Sequence, residues 1–236
     1  MIQALLRYPG ILKWDIRLQF RYYFWLVAAV LTAMWSGVLL ALSEEVVTTW
    51  VPVLIFADIG NIGLLFIAGI LFLERRQGTI YATAVMPISP GTWLTAKLIS
   101  LSLLCLACAI AIVAISSNSV NWLRLIPSAA LCAALFTSVG FLAAVSFDKI
   151  LNYFLGVGII LIPFNLPVLD YLGIFQNNAL WIIPSQPVMW ALAGSFQEMP
   201  TTTYLGCIAA TASWLALSHW LGIRAFQKYI ATRQQL

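Results

Sequence analysis

The chain has 236 residues, of which 62% are hydrophobic and 8% charged, with a net charge of +4. A soluble domain carries about 25% charged residues, so a water-facing surface cannot be made from this composition. The length holds roughly six apolar spans of about 20 residues each in a single membrane domain, residues 1–236. The basic residues sit at the ends of apolar runs, where they anchor helices, and their scatter gives no support to nucleic-acid binding.

Residues 1–22 mix Arg7, Lys13, Asp15, Arg17 and Arg21 with apolar side chains and lack the uninterrupted core of a cleavable signal, so the segment is expected to be retained. Lys13, Arg17 and Arg21 share one helix face, while Ile11, Trp14, Leu18 and Tyr22 share another. That pattern predicts a helix lying in the interface plane. A first span is predicted over 23–42, a polar turn with Glu44 and Glu45 over 43–50, and a second span over 51–73.

The stretch 74–92 reads E-R-R-Q-G-T-I-Y-A-T-A-V-M-P-I-S-P-G-T and is too polar to cross a bilayer. A third span is predicted over 93–116 and a fourth over 122–147, followed by a charged loop over 148–153. Pro163 and Pro167 are expected to kink or end the fifth segment near Asp170. Residues 170–203, broken by Pro184, Pro187 and Pro200, suit short half-inserted helices. The sixth span is predicted over 204–226 and a polar tail over 227–236. When the loops are assigned alternately to two sides, all Lys and Arg except Arg124 gather on one side, which places both termini and the 74–92 loop in the cytoplasm.

Several residues invite chemistry. Cys105, Cys108, Cys132 and Cys207 lie in apolar runs and read as small buried hydrophobes rather than a metal or disulfide set. Asp58, about two turns into the second span, needs protein or water around its carboxylate, and Asn61 shares its face. Gly60 and Gly63 permit close backbone approach there. Two readings stay open for Asp58 and Asn61: a polar lining of a substrate path or dimer seam, or a carboxylate satisfied by a neighbouring helix. Asp170 reads either as a cap on an outer helix or as part of an exit gate. Trp25, Trp50, Trp93, Trp122, Trp181 and Trp220 fall near span ends as an aromatic belt, leaving Trp35, Trp190 and Trp214 as pathway candidates. His219, the sole histidine, reads as a packing residue.

By composition, the 74–92 loop is either a plain connector or a surface for a cytoplasmic partner. Its motif resembles the signature of type-2 ABC exporter permeases: Glu74-Arg75-Arg76-x-Gly78-Thr79, then Pro87-x-Ser89-Pro90, then Lys97 where the next span begins. The resemblance implies that the loop is a coupling helix docking on a separate ATP-binding subunit. Glu74, Arg75, Gly78, Thr79, Ile80, Tyr81, Pro87 and Lys97 would then be its residues, with Glu74 and Arg75 holding its start and Lys97 its end. The order of segments is similar too: an interfacial N-terminal helix, six spans, and broken helices outside between spans five and six. The opening Trp14 to Tyr22 is similar to permeases of the fluoroquinolone-export group.

No G-x-x-x-x-G-K-[ST] phosphate loop occurs, so ATP and Mg would sit on a partner pair of ATPase subunits, with no cofactor in this chain. The resemblance also implies a second permease copy, identical or related, and outward movement of an amphipathic small molecule such as a drug or lipid. The rival readings are an intramembrane enzyme, for which no catalytic motif stands at membrane depth, and a non-transporting anchor or haem-maturation permease subunit of an ATPase-linked complex.

Overall fold

The computed structural model describes residues 2–80, 89–116 and 119–233. All regular elements among them are helical: α1 Ile2–Arg21, α2 Phe24–Leu40, α3 Glu44–Arg76, α4 Pro90–Ser116, α5 Trp122–Val145, α6 Ile150–Tyr171, a 3-10 turn Asn178–Ile182, α7 Ser185–Ala193 and α8 Thr201–Arg233. Five helices are long and apolar enough to cross a membrane, and six if α1 and α2, bent by 66° at Tyr23, count as one broken span.

The centre of the bundle is α3 packed against α5. Helix α3 is apolar around most of its circumference and correspondingly buried. Glycines bring the pair together: a Cβ on Gly140 would lie 2.9 Å from Leu64 Cα, and one on Gly63 would lie 3.1 Å from the Thr137 backbone nitrogen. A side chain at either position would force the facing backbone to shift, so these two glycines set how closely the helices cross. Gly60 meets the Phe136 ring. The glycines expected to allow close approach are thus used inside this chain.

Around this pair the outer helices bury one side only. Helix α6 leaves Leu151, Leu155, Ile159 and Ile162 exposed along one stripe, and α2 exposes Leu26, Val27, Val30 and Met34. In water such faces would drive aggregation, but a hydrocarbon solvent covers them at no cost.

Several boundaries differ from expectation for identifiable reasons. Glu44 and Glu45 open α3 rather than forming a turn, consistent with the preference for acidic side chains in a helix's first turn. Helix α6 runs through Pro163 and Pro167 to Tyr171. Near these prolines side chains add acceptor contacts: Ser185 Oγ donates to Phe164 O at 2.8 Å, and Asn165 Nδ2 to Leu161 O at 2.8 Å. The expected tail from 227 is helical to Arg233, because Phe226 stacks on Trp93 at 4.6 Å and Tyr229 meets Arg75. Trp93 is consequently a buried core residue and not part of a belt.

Candidate functional site

The end of the bundle that carries Glu74 and Lys97 holds a buried ion cluster. Lys97 Nζ, one per cent exposed, donates to Glu74 Oε1 at 2.6 Å and to Asp15 Oδ1 at 3.0 Å. The three residues come from α1, α3 and α4, so one ammonium joins three helices. An uncompensated charge there would cost several kcal/mol, which makes each member conditional on the others. Trp93 lies one turn before Lys97 and offers its ring face at 4.7 Å. One turn from Asp15, Gln19 Nε2 donates to Ser100 Oγ at 3.0 Å, a second polar tie between α1 and α4.

This geometry corrects the faces assigned to α1. Trp14 is exposed, whereas Asp15, Leu18 and Gln19 form the buried side. Polar residues face inward because Lys97 and Ser100 supply partners, and a buried Lys97 left without its carboxylates would be strongly unfavourable. Asp15 was not among the residues singled out as functional. The available signal was Lys97 itself: a cation set within an apolar run needs a carboxylate within reach.

Arg75, next to Glu74, fastens the same end to the rest of the bundle. Its Nη1 donates to Phe147 O at 2.5 Å and its Nη2 to Val145 O at 3.4 Å. Those carbonyls terminate α5, where a cation offsets the helix dipole. The guanidinium also lies 4.4 Å from the Tyr229 ring of α8 and 5.0 Å from Phe72.

Beyond Arg76 the chain turns at Gly78, whose φ of +70° favours glycine. Thr79 Oγ1 donates to Glu74 O at 3.2 Å, and Gln77 Nε2 donates to Tyr22 OH. Ile80 is buried. Tyr81 and Pro87 lie outside the described residues. The structure therefore joins the two flanks of the 74–92 loop, Glu74 and Lys97, directly and adds α1 to them.

The remaining candidates are dispersed. Asp58 is fully buried about four turns into α3, deeper than expected because the helix begins at Glu44. Its Oδ2 accepts from Thr32 Oγ1 of α2 at 3.0 Å, and Oδ1 is buried with no donor among the described residues. Asn61 is half-buried. Trp35 and Trp214 are partly buried against the core, on α2 and α8, and none of these residues meets the ion cluster.

Asp170 stands near the opposite end of the bundle. Its Oδ2 accepts from Gln186 Nε2 at 2.5 Å and from Trp190 Nε1 at 3.1 Å, fixing α7 against the end of α6. It caps no helix: its donors are side chains. Arg124 there donates to Gly194 O at 3.1 Å and Met199 O at 2.9 Å, and sits 5.2 Å from the Tyr204 ring. It is thus tied to protein carbonyls instead of reaching for headgroups.

No group of metal-ligating side chains occurs among the described residues. The site is a set of buried polar ties between α1, α3 and α4.

Comparison with known proteins agrees with the membrane architecture. Residues 7–234 match the fluoroquinolones export permease protein family. Among similar proteins are two named fluoroquinolones export permease proteins from Mycobacterium tuberculosis, strains CDC 1551 / Oshkosh and ATCC 25618 / H37Rv. Each is 28% identical to this chain over 193 residues, which cover 80% of both sequences. With nearly its whole length matched and five or six apolar helices in its bundle, the chain is a multi-pass membrane permease that belongs to the fluoroquinolones export permease protein family.

Proposed function

We propose that the chain is the membrane subunit of an ATP-driven ABC exporter. Two permease copies form the pathway, and a separate pair of ATP-binding subunits docks on the 74–92 loop. Both termini and this loop face the cytoplasm, α1 lies along the inner surface of the cell membrane, and the segment between α6 and α8 faces outward. The cargo is an amphipathic small molecule, for which the fluoroquinolones in the relatives' names supply the best precedent.

The observation that carries this reading is the Asp15–Lys97–Glu74 cluster at the two flanks of the loop. A motor pulling on a slack loop would do no work on the spans. Here the residues where the loop leaves α3 and where α4 carries the chain onward share one buried cation, so displacement of the loop is passed to α1, α3 and α4 together. Arg75 extends the connection to the ends of α5 and α8. ATP binding and hydrolysis would shift the bundle between inward-open and outward-open states by stabilising one over the other, with no chemistry in the membrane. Gly78, Thr79, Ile80, Tyr81 and Pro87 would form or frame the docking surface. Asp58, Asn61, Trp35, Asp170 and Trp214 are assigned to the pathway or the seam between copies.

The test is to purify the tagged chain in mild detergent from its native host and count the chains that accompany it, beside a variant with residues 79–85 scrambled. Recovery of an ATP-binding subunit with the native loop and its loss with the scramble are expected. Absence of any ATPase from the intact preparation would overturn the exporter reading.

A further inference from the structure

The outer side of α1 carries a feature that force transmission does not use. A cavity of about 650 Å³ at the α1–α2 elbow is lined by Trp14, Arg17, Phe20, Arg21, Tyr22 and Gln77, with Leu18 at its base toward the core. It contains two guanidiniums and no carboxylate. Asp15 belongs to the opposite, buried side of the helix and is engaged by Lys97. Among the described residues neither arginine forms an ion pair, and Arg21 makes only a distant approach, 5.9 Å, to the Tyr22 ring.

The rest of the lining is amphipathic in a definite order. Gln77 and Tyr22 form the polar wall through the bond between them. Trp14 and Phe20, 61% and 57% exposed, stand beside the arginines as side chains suited to the headgroup boundary. The exposed apolar residues Leu26, Val27 and Val30 of α2 follow immediately in the chain. Phe20 stacks on Trp25 at 4.9 Å, and a free anion would use the arginines but leave the exposed Trp14, the outward edge of that stack and the α2 face unexplained. A ligand with a phosphate at one end and long hydrocarbon at the other accounts for all three.

We infer that this cavity is a binding site for the phosphate headgroup of an anionic phospholipid. Arg17 and Arg21, one helical turn apart, bracket the phosphate oxygens with charge-assisted hydrogen bonds. Trp14 and Phe20 sit at the glycerol level, and the acyl chains follow α2. Because Gln77 begins the turn after α3, the lipid braces the elbow of α1 and α2 against the start of the loop. The inference rests on the chain being a membrane protein and is independent of the ATPase partner.

The test uses the full chain purified in neutral detergent, with phosphatidylglycerol and phosphatidylcholine retention measured by native mass spectrometry. The intact chain is expected to retain phosphatidylglycerol at least about tenfold better. Replacing both cations, Arg17→Gln with Arg21→Gln, is expected to weaken that retention by roughly thirtyfold, from about 1 kcal/mol per basic residue. Arg17→Lys with Arg21→Lys should keep most of it, and Lys13→Gln, outside the cavity, should change nothing. Gln77→Glu adds a carboxylate while leaving both arginines in place, and should weaken retention by about fivefold even if the double glutamine variant fails to fold. Retention equal for the two lipids, or unaffected by Gln77→Glu, would overturn the inference. So would displacement of phosphatidylglycerol by millimolar inorganic phosphate, which would indicate a free-anion site, or by a fluoroquinolone, which would make the cavity a cargo site.

Discussion

The two ends of the bundle handle charge in opposite ways. At the loop end, Lys97 is shut away with two carboxylates from two other helices, and Arg75 spans to a helix terminus and an aromatic ring. At the other end, Arg124 is held by backbone carbonyls and Asp170 by a neutral amide and an indole, with no ion pair between them. A buried ion pair is stable only while all partners remain, so it behaves as a single mechanical joint. Separate hydrogen-bonded charges can be rearranged one at a time. The contrast fits the proposed function, in which the loop end is driven by an ATPase and the other end opens.

If the loop end is one joint, removing its cation should do the most damage. Lys97→Met strands two buried carboxylates and is expected to cost about 3–5 kcal/mol, read as loss of folded protein or a lowered melting temperature in detergent. Adding Asp15→Asn and Glu74→Gln to Lys97→Met should recover much of that loss, and failure to recover any would mean the three do not act together.

The central crossing of α3 and α5 is shared by both ends. Gly140→Ala pushes a Cβ against the Leu64 backbone and should destabilise the bundle by about 1–3 kcal/mol, measured by the same melting experiment. The opposite end should respond less sharply. Arg124→Gln loses charge-assisted bonds to two carbonyls at a partly exposed site, and about 1 kcal/mol is expected. The smallest effect should come from the lipid-side stripe of α6: Leu155→Ala should change the stability of the single chain by no more than about 0.5 kcal/mol. A cysteine at the same position nevertheless reports on the seam, since cross-linking there would place α6 between two copies.

Much of this architecture was legible in the sequence, because apolar runs of span length have few alternatives. The errors came where one-dimensional rules meet tertiary context. Pro163 and Pro167 read as breaks, yet α6 continues through them beside the Ser185 hydroxyl, which comes from a segment twenty residues away. The polar residues after 226 read as a tail, yet Tyr229 is held by Arg75. At the candidate site, Glu74 and Lys97 were identifiable from the motif, and the structure places them in contact. Asp15 was hidden among cations on an amphipathic helix, because spacing reveals a helix's faces but not which face finds a partner. Asp58 reads from the sequence as a carboxylate that needs protein or water around it, but its depth and its donor on α2 cannot be read from a pattern within α3.

The proposed function requires the Glu74–Lys97 end to face a cytoplasmic motor. The most direct measurement places a cysteine at Thr79, cross-links it in inverted membrane vesicles and identifies the captured chain by mass spectrometry. Labelling from the cytoplasmic side only and capture of an ATP-binding subunit are expected. Labelling of that cysteine in intact cells by an impermeant reagent, or vesicles in which no ATP-binding chain is captured, would contradict it.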